Sequence, residues 1–304
     1  MHTARKTYFR RAMRNPRKNK RLHLKALTGL AFVTGLAGAQ DTLWINASTW
    51  TPQGQPVPAI RLNASSEFAL RNTRVERPAD EAASVVLVNL DDAAHVAAVW
   101  ADEELANVEL AAGGTATLAW PALAAGTYGI GLTDDLGKWH GGRSLLAVTS
   151  ASDTLPTFYW NLAEWDTDRM DSVAAGGTPS GFGPYVPRYF TINEAMHPQT
   201  LEDPEALVAL PVNASALIRV HNAGAMDHVL HFHGFHVEIL SSTHHPERVG
   251  WSKDTQPVKV GEGITFRLFA DQTGIYPVHD HNLIAVTNAG LYPGGMLTQI
   301  HVTP

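Results

Sequence analysis

The chain has 304 residues, 44% hydrophobic and 17% charged, with 25 Gly and 18 Pro. This globular composition excludes disordered and collagen-like classes and leaves room for about two domains. It contains no cysteine, so disulfides, thiolate metal sites, iron–sulfur clusters and cysteine nucleophiles are excluded, and any metal must be held by His or oxygen ligands. The formal charge of −6 hides an asymmetry: residues 1–39 carry ten Lys or Arg and no acidic residue, so the remaining 13 basic and 29 acidic residues leave −16 for the rest. Such an acidic body argues against nucleic-acid binding.

Residues 1–39 read as a signal peptide: a basic stretch to Lys25, an apolar run Ala26–Leu36, then Ala37-Gly38-Ala39. The run is shorter than the roughly 20 residues a spanning helix needs, and no later segment is long and apolar enough, so no transmembrane segment is expected after cleavage. Export to the periplasm or cell envelope follows. From Gln40 onward, short runs rich in β-branched and aromatic residues alternate with turn residues, as in Ser84–Asn89, Ala116–Trp120, Leu217–Val220 and Ile264–Phe269. The pattern predicts an all-β sandwich or barrel. The Gly/Pro/Ser-rich passage Ala174–Pro184 reads as linker, giving one β domain over 40–150, a connecting segment over 151–185 and a second β domain over 186–304. An internal repeat supports the division: Asn89 and His95 recur as Asn222 and His228 at the same spacing, and Gly126-Thr-Tyr128 recurs as Gly274-Ile-Tyr276. Extending the alignment puts Ala98, Trp100, Gly131 and Thr133 where the second copy has His231, His233, His279 and His281.

Nine of the 15 histidines fall within residues 221–281. In strands, side chains two apart share a face, so His231 and His233 project together, as do His279 and His281. If the two strands are neighbours, four imidazoles converge into a metal site without sulfur. Imidazole suits copper, and zinc also fits. By the same parity His228 and Asp280 face the other way, either as a hydrogen-bonded His–carboxylate pair or, with His236, as a second metal site. His244-His245 reads as a surface loop pair, His95 and His140 as structural histidines, and Trp100, Trp139, Trp160, Trp165 and Trp251 as packing residues.

His228-Val-Leu-His231-Phe-His233-Gly234 resembles the His-x-x-His-x-His-Gly motif of multicopper oxidases, and His279-Asp-His281-Asn-Leu resembles a segment of copper nitrite reductases. The resemblance is specific over about 186–304 and faint over 40–150. It implies two cupredoxin-like Greek-key domains, bound copper and a homo-oligomer of the trimeric two-domain kind with copper near subunit interfaces. The family's blue-copper centre is missing: Asp280 stands in place of its Cys, Ala285 in place of its next histidine, and Met296 is only a displaced candidate for its axial ligand.

Copper held by histidines without that relay is unsuited to collecting electrons for dioxygen reduction. Residual oxidase or nitrite reductase activity is therefore disfavoured. Chemistry in which one small substrate alternately reduces and reoxidises the metal remains, and superoxide dismutation meets that condition. The alternative is a non-catalytic copper-binding or buffering protein, or a structural subunit of a cell-envelope complex.

Overall fold

The computed structural model describes residues 42–304; the signal segment expected over 1–39 lies outside them. The first unit contains β1 (Thr42–Trp50), β2 (Val57–Asn63), β3 (Val75–Pro78), β4 (Ala83–Asn89), β5 (His95–Trp100), β6 (Glu104–Leu110), β7 (Thr115–Trp120), β8 (Gly126–Leu132) and β9 (Arg143–Thr149), with helix α1 (Asp135–Trp139) between the last two. Its strands form two sheets, β2-β1-β4-β7 and β3-β9-β8-β5-β6. Alternating apolar residues such as Val85 and Leu87 on β4 and Ala97 and Val99 on β5 fill the space between them.

The second unit contains β10 (Thr157–Trp165), β11 (Tyr189–Ile192), β12 (Val208–Pro211), β13 (Ser215–Asn222), β14 (His228–Phe232), β15 (Val237–Ser242), β16 (Ser252–Lys253), β17 (Thr255–Val258), β18 (Gly263–Phe269), β19 (Gly274–Asp280) and β20 (Leu297–Thr303), with helix α2 (Thr167–Ala174) after β10. Its sheets are β11-β10-β13-β18-β15-β16 and β12-β20-β19-β14-β17. The segment 151–185 therefore contributes a strand to the second sandwich, because β10 pairs in parallel with β13.

The two units have one topology. Strands β1, β4 and β7 correspond to β10, β13 and β18, and β5, β8 and β9 correspond to β14, β19 and β20. The hairpin β15–β16 is added in the second unit and lies beside β18. Both are two-sheet β sandwiches, as the alternating strand pattern predicts. The domains join closely: β8 packs on β13 and β18, Thr127 Oγ1 lies 2.8 Å from Thr265 Oγ1, and Arg219 donates to Gly126 O at 2.6 Å. Gly263 permits the approach, since a Cβ there would overlap the Thr127 carbonyl. The expected packing role holds for Trp160 in the second core and Trp165 in a third cluster. It fails for Trp251, which is half exposed beneath the Lys253 ammonium because it precedes the short strand β16 at the sheet edge.

Candidate metal centre

Strands β14 and β19 are antiparallel neighbours, with His231 directly opposite His279. The pairing continues past both strands: His281 N donates to Val229 O at 2.7 Å, and His233 N to Pro277 O at 3.1 Å. Leu230, Phe232 and Val278 face the core, so the four imidazoles stand on the outer face. The ring of His231 lies 4.6, 5.6 and 5.8 Å from those of His233, His279 and His281. His233 Nε2 and His279 Nε2 face each other at 3.0 Å.

The second nitrogens of two rings are engaged elsewhere. His279 Nδ1 donates to Asp280 O at 2.8 Å, which leaves its Nε2 as the lone-pair nitrogen when the ring is neutral. His231 Nδ1 lies 2.9 Å from Thr255 Oγ1 on β17. Burial and the neighbouring His231 and His279 hold the His233 pKa below its ordinary value, favouring the neutral form that binds metals. Imidazole nitrogens sit about 2.0–2.1 Å from an ion such as zinc, so two on one ion stand about 3 Å apart. The His233–His279 pair already meets that spacing. No group of three or more His, Cys, Asp or Glu among the described residues is ready to hold an ion; recruiting His231 or His281 requires their rings to turn toward the pair. An all-imidazole set of this kind fits copper in its chemistry.

His228 and Asp280 lie on the inner side. His228 Nδ1 donates to Asp280 Oδ2 at 2.6 Å and Nε2 to Glu164 Oε2 at 3.0 Å, with all three side chains buried. Burial opposes the imidazolium charge, but the bonds to Asp280 and Glu164 outweigh it and push the His228 pKa up to about 9. Burial likewise opposes the charge of Glu164, yet bonds from His228, Ala225 N and Tyr185 hold its pKa below the ordinary value. Within this charged core, Asp280 stands where the resemblance puts the blue-copper Cys. His236 is exposed and away from it.

Sequence reasoning missed Glu164, which reaches His228 from β10, 64 residues away in the chain. The signal available was the repeat itself. In the first domain His95 Nε2 lies 3.0 Å from Asp91, two residues after Asn89; the matching position after Asn222 is Gly224. A Cβ at Gly224 would overlap the Glu164 carboxylate. The glycine thus makes room for a carboxylate arriving from another strand.

Residues 181–294 match the multicopper oxidase family model. No curated protein matches the sequence. Among solved structures, a blue copper oxidase from Nitrosomonas europaea aligns with TM-score 0.68 and 19% identity over 86% of this chain and 85% of that one. A copper nitrite reductase from Nitrosomonas europaea aligns with TM-score 0.65 and 16% identity over 86% and 93%. The multicopper oxidase mgLAC aligns with TM-score 0.69 and 19% identity over 86% of each chain. Residues 181–294 are thus similar to a multicopper oxidase domain, and the described chain has the cupredoxin-like fold that the aligned oxidases and nitrite reductase share.

Proposed function

We propose that the protein binds copper through His231, His233, His279 and His281 and uses it for one-electron exchange with a small diffusible substrate, superoxide in the first instance. The observation that carries this reading is the 3.0 Å approach of His233 Nε2 to His279 Nε2, with two further rings beside it on an outer sheet face. Copper held there by these four histidines would supply a one-electron couple, suited to converting two superoxide ions and two protons into dioxygen and hydrogen peroxide. The chain's part is to orient the imidazoles, through Thr255 at His231 and the Asp280 carbonyl at His279. Of the four cations over residues 248–267, Arg248, Lys259 and Arg267 are paired with Glu247, Asp227 and Glu238, which leaves Lys253 as the one without a carboxylate partner among the described residues.

The same reading places the protein outside the cytoplasm, on the strength of the basic and apolar N-terminal segment. It also makes the protein a homotrimer. Within one chain, the first domain's β8 sheet packs on the second domain's β13–β18 sheet. The equivalent outer face of the second domain, with Leu283, Leu291 and Tyr292 exposed nearby, is then left for the first domain of another copy. Light scattering that gives the mass of one chain removes this part.

Metal analysis and superoxide consumption measured on the protein and on His231→Ala and His279→Ala test the site. The expected result is copper bound with imidazole nitrogen couplings in its electron paramagnetic resonance spectrum, and loss of both metal and activity in the variants. Copper that disappears in the variants without any activity to lose assigns the site to copper buffering. Copper retained in both variants overturns the ligand set.

A further inference from the structure

A second pocket lies at the junction of the domains, lined by Lys138, Trp139, Arg143, Glu164, Tyr185 and Glu194 among others, with about 450 Å³ of space between atoms including its open mouth. Its acidic groups are already engaged as acceptors. Glu164 accepts from His228, Tyr185 and Ala225 N. Asp166 accepts from Arg169 N at 3.1 Å and Val186 N at 2.8 Å. Glu194 accepts from Asn72 Nδ2 at 2.7 Å and Asn72 N at 3.3 Å.

The groups left over are donors. Arg143 uses its Nε on Leu132 O at 3.3 Å and lies over the Trp100 ring, while the Lys138 ammonium lies 4.9 Å from the Trp139 ring. Neither cation pairs with a carboxylate among the described residues. Burial and Arg143 hold the Lys138 pKa down, and burial lowers that of Arg143 to about 10 despite Glu164 and Asp134. The Trp139 indole N–H is buried with no acceptor. Of these donors the Trp139 N–H is buried without a partner, a costly state that an anion's oxygen relieves, and the two cations beside it supply the complementary charge.

We propose that this pocket binds a small carboxylate, its oxygens taken by Lys138, Arg143 and the Trp139 N–H and its body lying among the Trp139, Trp165 and Tyr185 rings. The Trp139 and Tyr185 rings stand 5.5 Å apart, forming one side of the slot. Charge-assisted hydrogen bonds to a carboxylate are the strong kind, and a planar guanidinium suits its two oxygens. This assignment is independent of the copper reading. The pocket is nonetheless tied to the histidine face, because Tyr185, Glu164, His228 and Asp280 are hydrogen-bonded in series and Asp280 lies between His279 and His281.

The test uses the full chain stripped of metal, so that an anion on copper cannot be mistaken for one in the pocket, and copper loading is measured separately so that either reading can fail alone. Acetate is titrated and followed by saturation-transfer NMR and tryptophan fluorescence. We expect saturable binding with a dissociation constant of about 1 mM, weakened roughly tenfold or more by Lys138→Gln and by Arg143→Gln. Trp139→Phe, which keeps the ring and removes the N–H, should weaken it by about threefold to tenfold. Lys259→Gln, outside the pocket, should leave it unchanged. Should Arg143→Gln fail to fold, Lys138→Gln and Trp139→Phe decide. Absence of saturation up to roughly 100 mM acetate, equal displacement by chloride, or affinity unchanged in Lys138→Gln and Trp139→Phe would overturn the proposal.

Discussion

The two domains carry the same buried motif and opposite outer faces. In each, an asparagine closes the loop before a buried histidine: Asn89 Nδ2 donates to Ala93 O at 2.8 Å, and Asn222 Nδ2 to Met226 O at 2.7 Å. In each, that histidine sits between two carboxylates, Asp91 and Asp134 around His95 and Glu164 and Asp280 around His228. Outside, the first domain presents Ala98 opposite Gly131, and Trp100 beside them packs on His221 of the second domain. The second presents His231 opposite His279. The charged core therefore belongs to the fold in both copies, whereas the outer face is what distinguishes a packing surface from a candidate metal surface.

The sharpest way to break the core comparison is to remove the carboxylate that only the second domain brings from another strand. Glu164→Ala leaves a buried imidazolium with one partner and should cost about 3–5 kcal/mol in denaturant unfolding. Adding Gly224→Asp should recover a substantial part, because the Glu164 carboxyl supplies the nearest obstruction to a side chain there and the new carboxylate takes the position Asp91 holds in the first domain. A double variant no more stable than Glu164→Ala would mean that the two cores are not interchangeable.

A smaller effect, of a few kcal/mol, separates the cores by pH. Burial lowers both histidine pKa values, but the carboxylates raise both to about 9, above the ordinary 6.5. Their imidazolium forms thus contribute stability that is fully present below about pH 6.5 and is lost as pH rises through about 9. The pKa values of Asp134 and Glu164 are held down by their histidines against burial, so their contribution is lost on the acid side. Unfolding midpoints should fall from about pH 7 to about pH 10, and His95→Gln should remove the share of that slope belonging to the first domain. An unaltered slope in His95→Gln would show that His95 is not charged in the folded chain.

Much of this was legible in the sequence because it is local. The Asn89–His95 and Asn222–His228 spacings expose the repeat, and strand parity alone separates His231, His233, His279 and His281 from His228 and Asp280. What escaped depends on distant chain segments. Glu164 lies on β10, inside a stretch whose Gly/Pro-rich end masked its strand, and only the change from Asp91 to Gly224 hinted that a carboxylate must arrive from elsewhere. The donors of Lys138, Trp139 and Arg143 meet because α1 and β9 converge on the domain junction, which no spacing along the chain reports. Trp251 shows the converse: an aromatic residue predicts burial, but this one precedes a two-residue edge strand that no further strand covers.

The mildest test concerns the outer faces. Thr255 stands opposite His231 in the register of β14 and β17, and Asn107 stands opposite Ala98 at the corresponding place in the first domain. The Thr255 hydroxyl lies 2.9 Å from His231 Nδ1 and can accept its proton, leaving Nε2 as the nitrogen on the side of the other rings. Thr255→Val keeps the shape and β propensity and removes that partner, so the fold should hold while the ring loses its preferred tautomer and orientation. Outer hydrogen bonds of this kind are worth about tenfold to a hundredfold in metal affinity. For this half-buried ring beside an open face the lower figure is expected, read as the copper dissociation constant in a competition with a chelator. Unchanged affinity in Thr255→Val, alongside loss in His279→Ala, would remove His231 from the ion and leave His233, His279 and His281 to hold it.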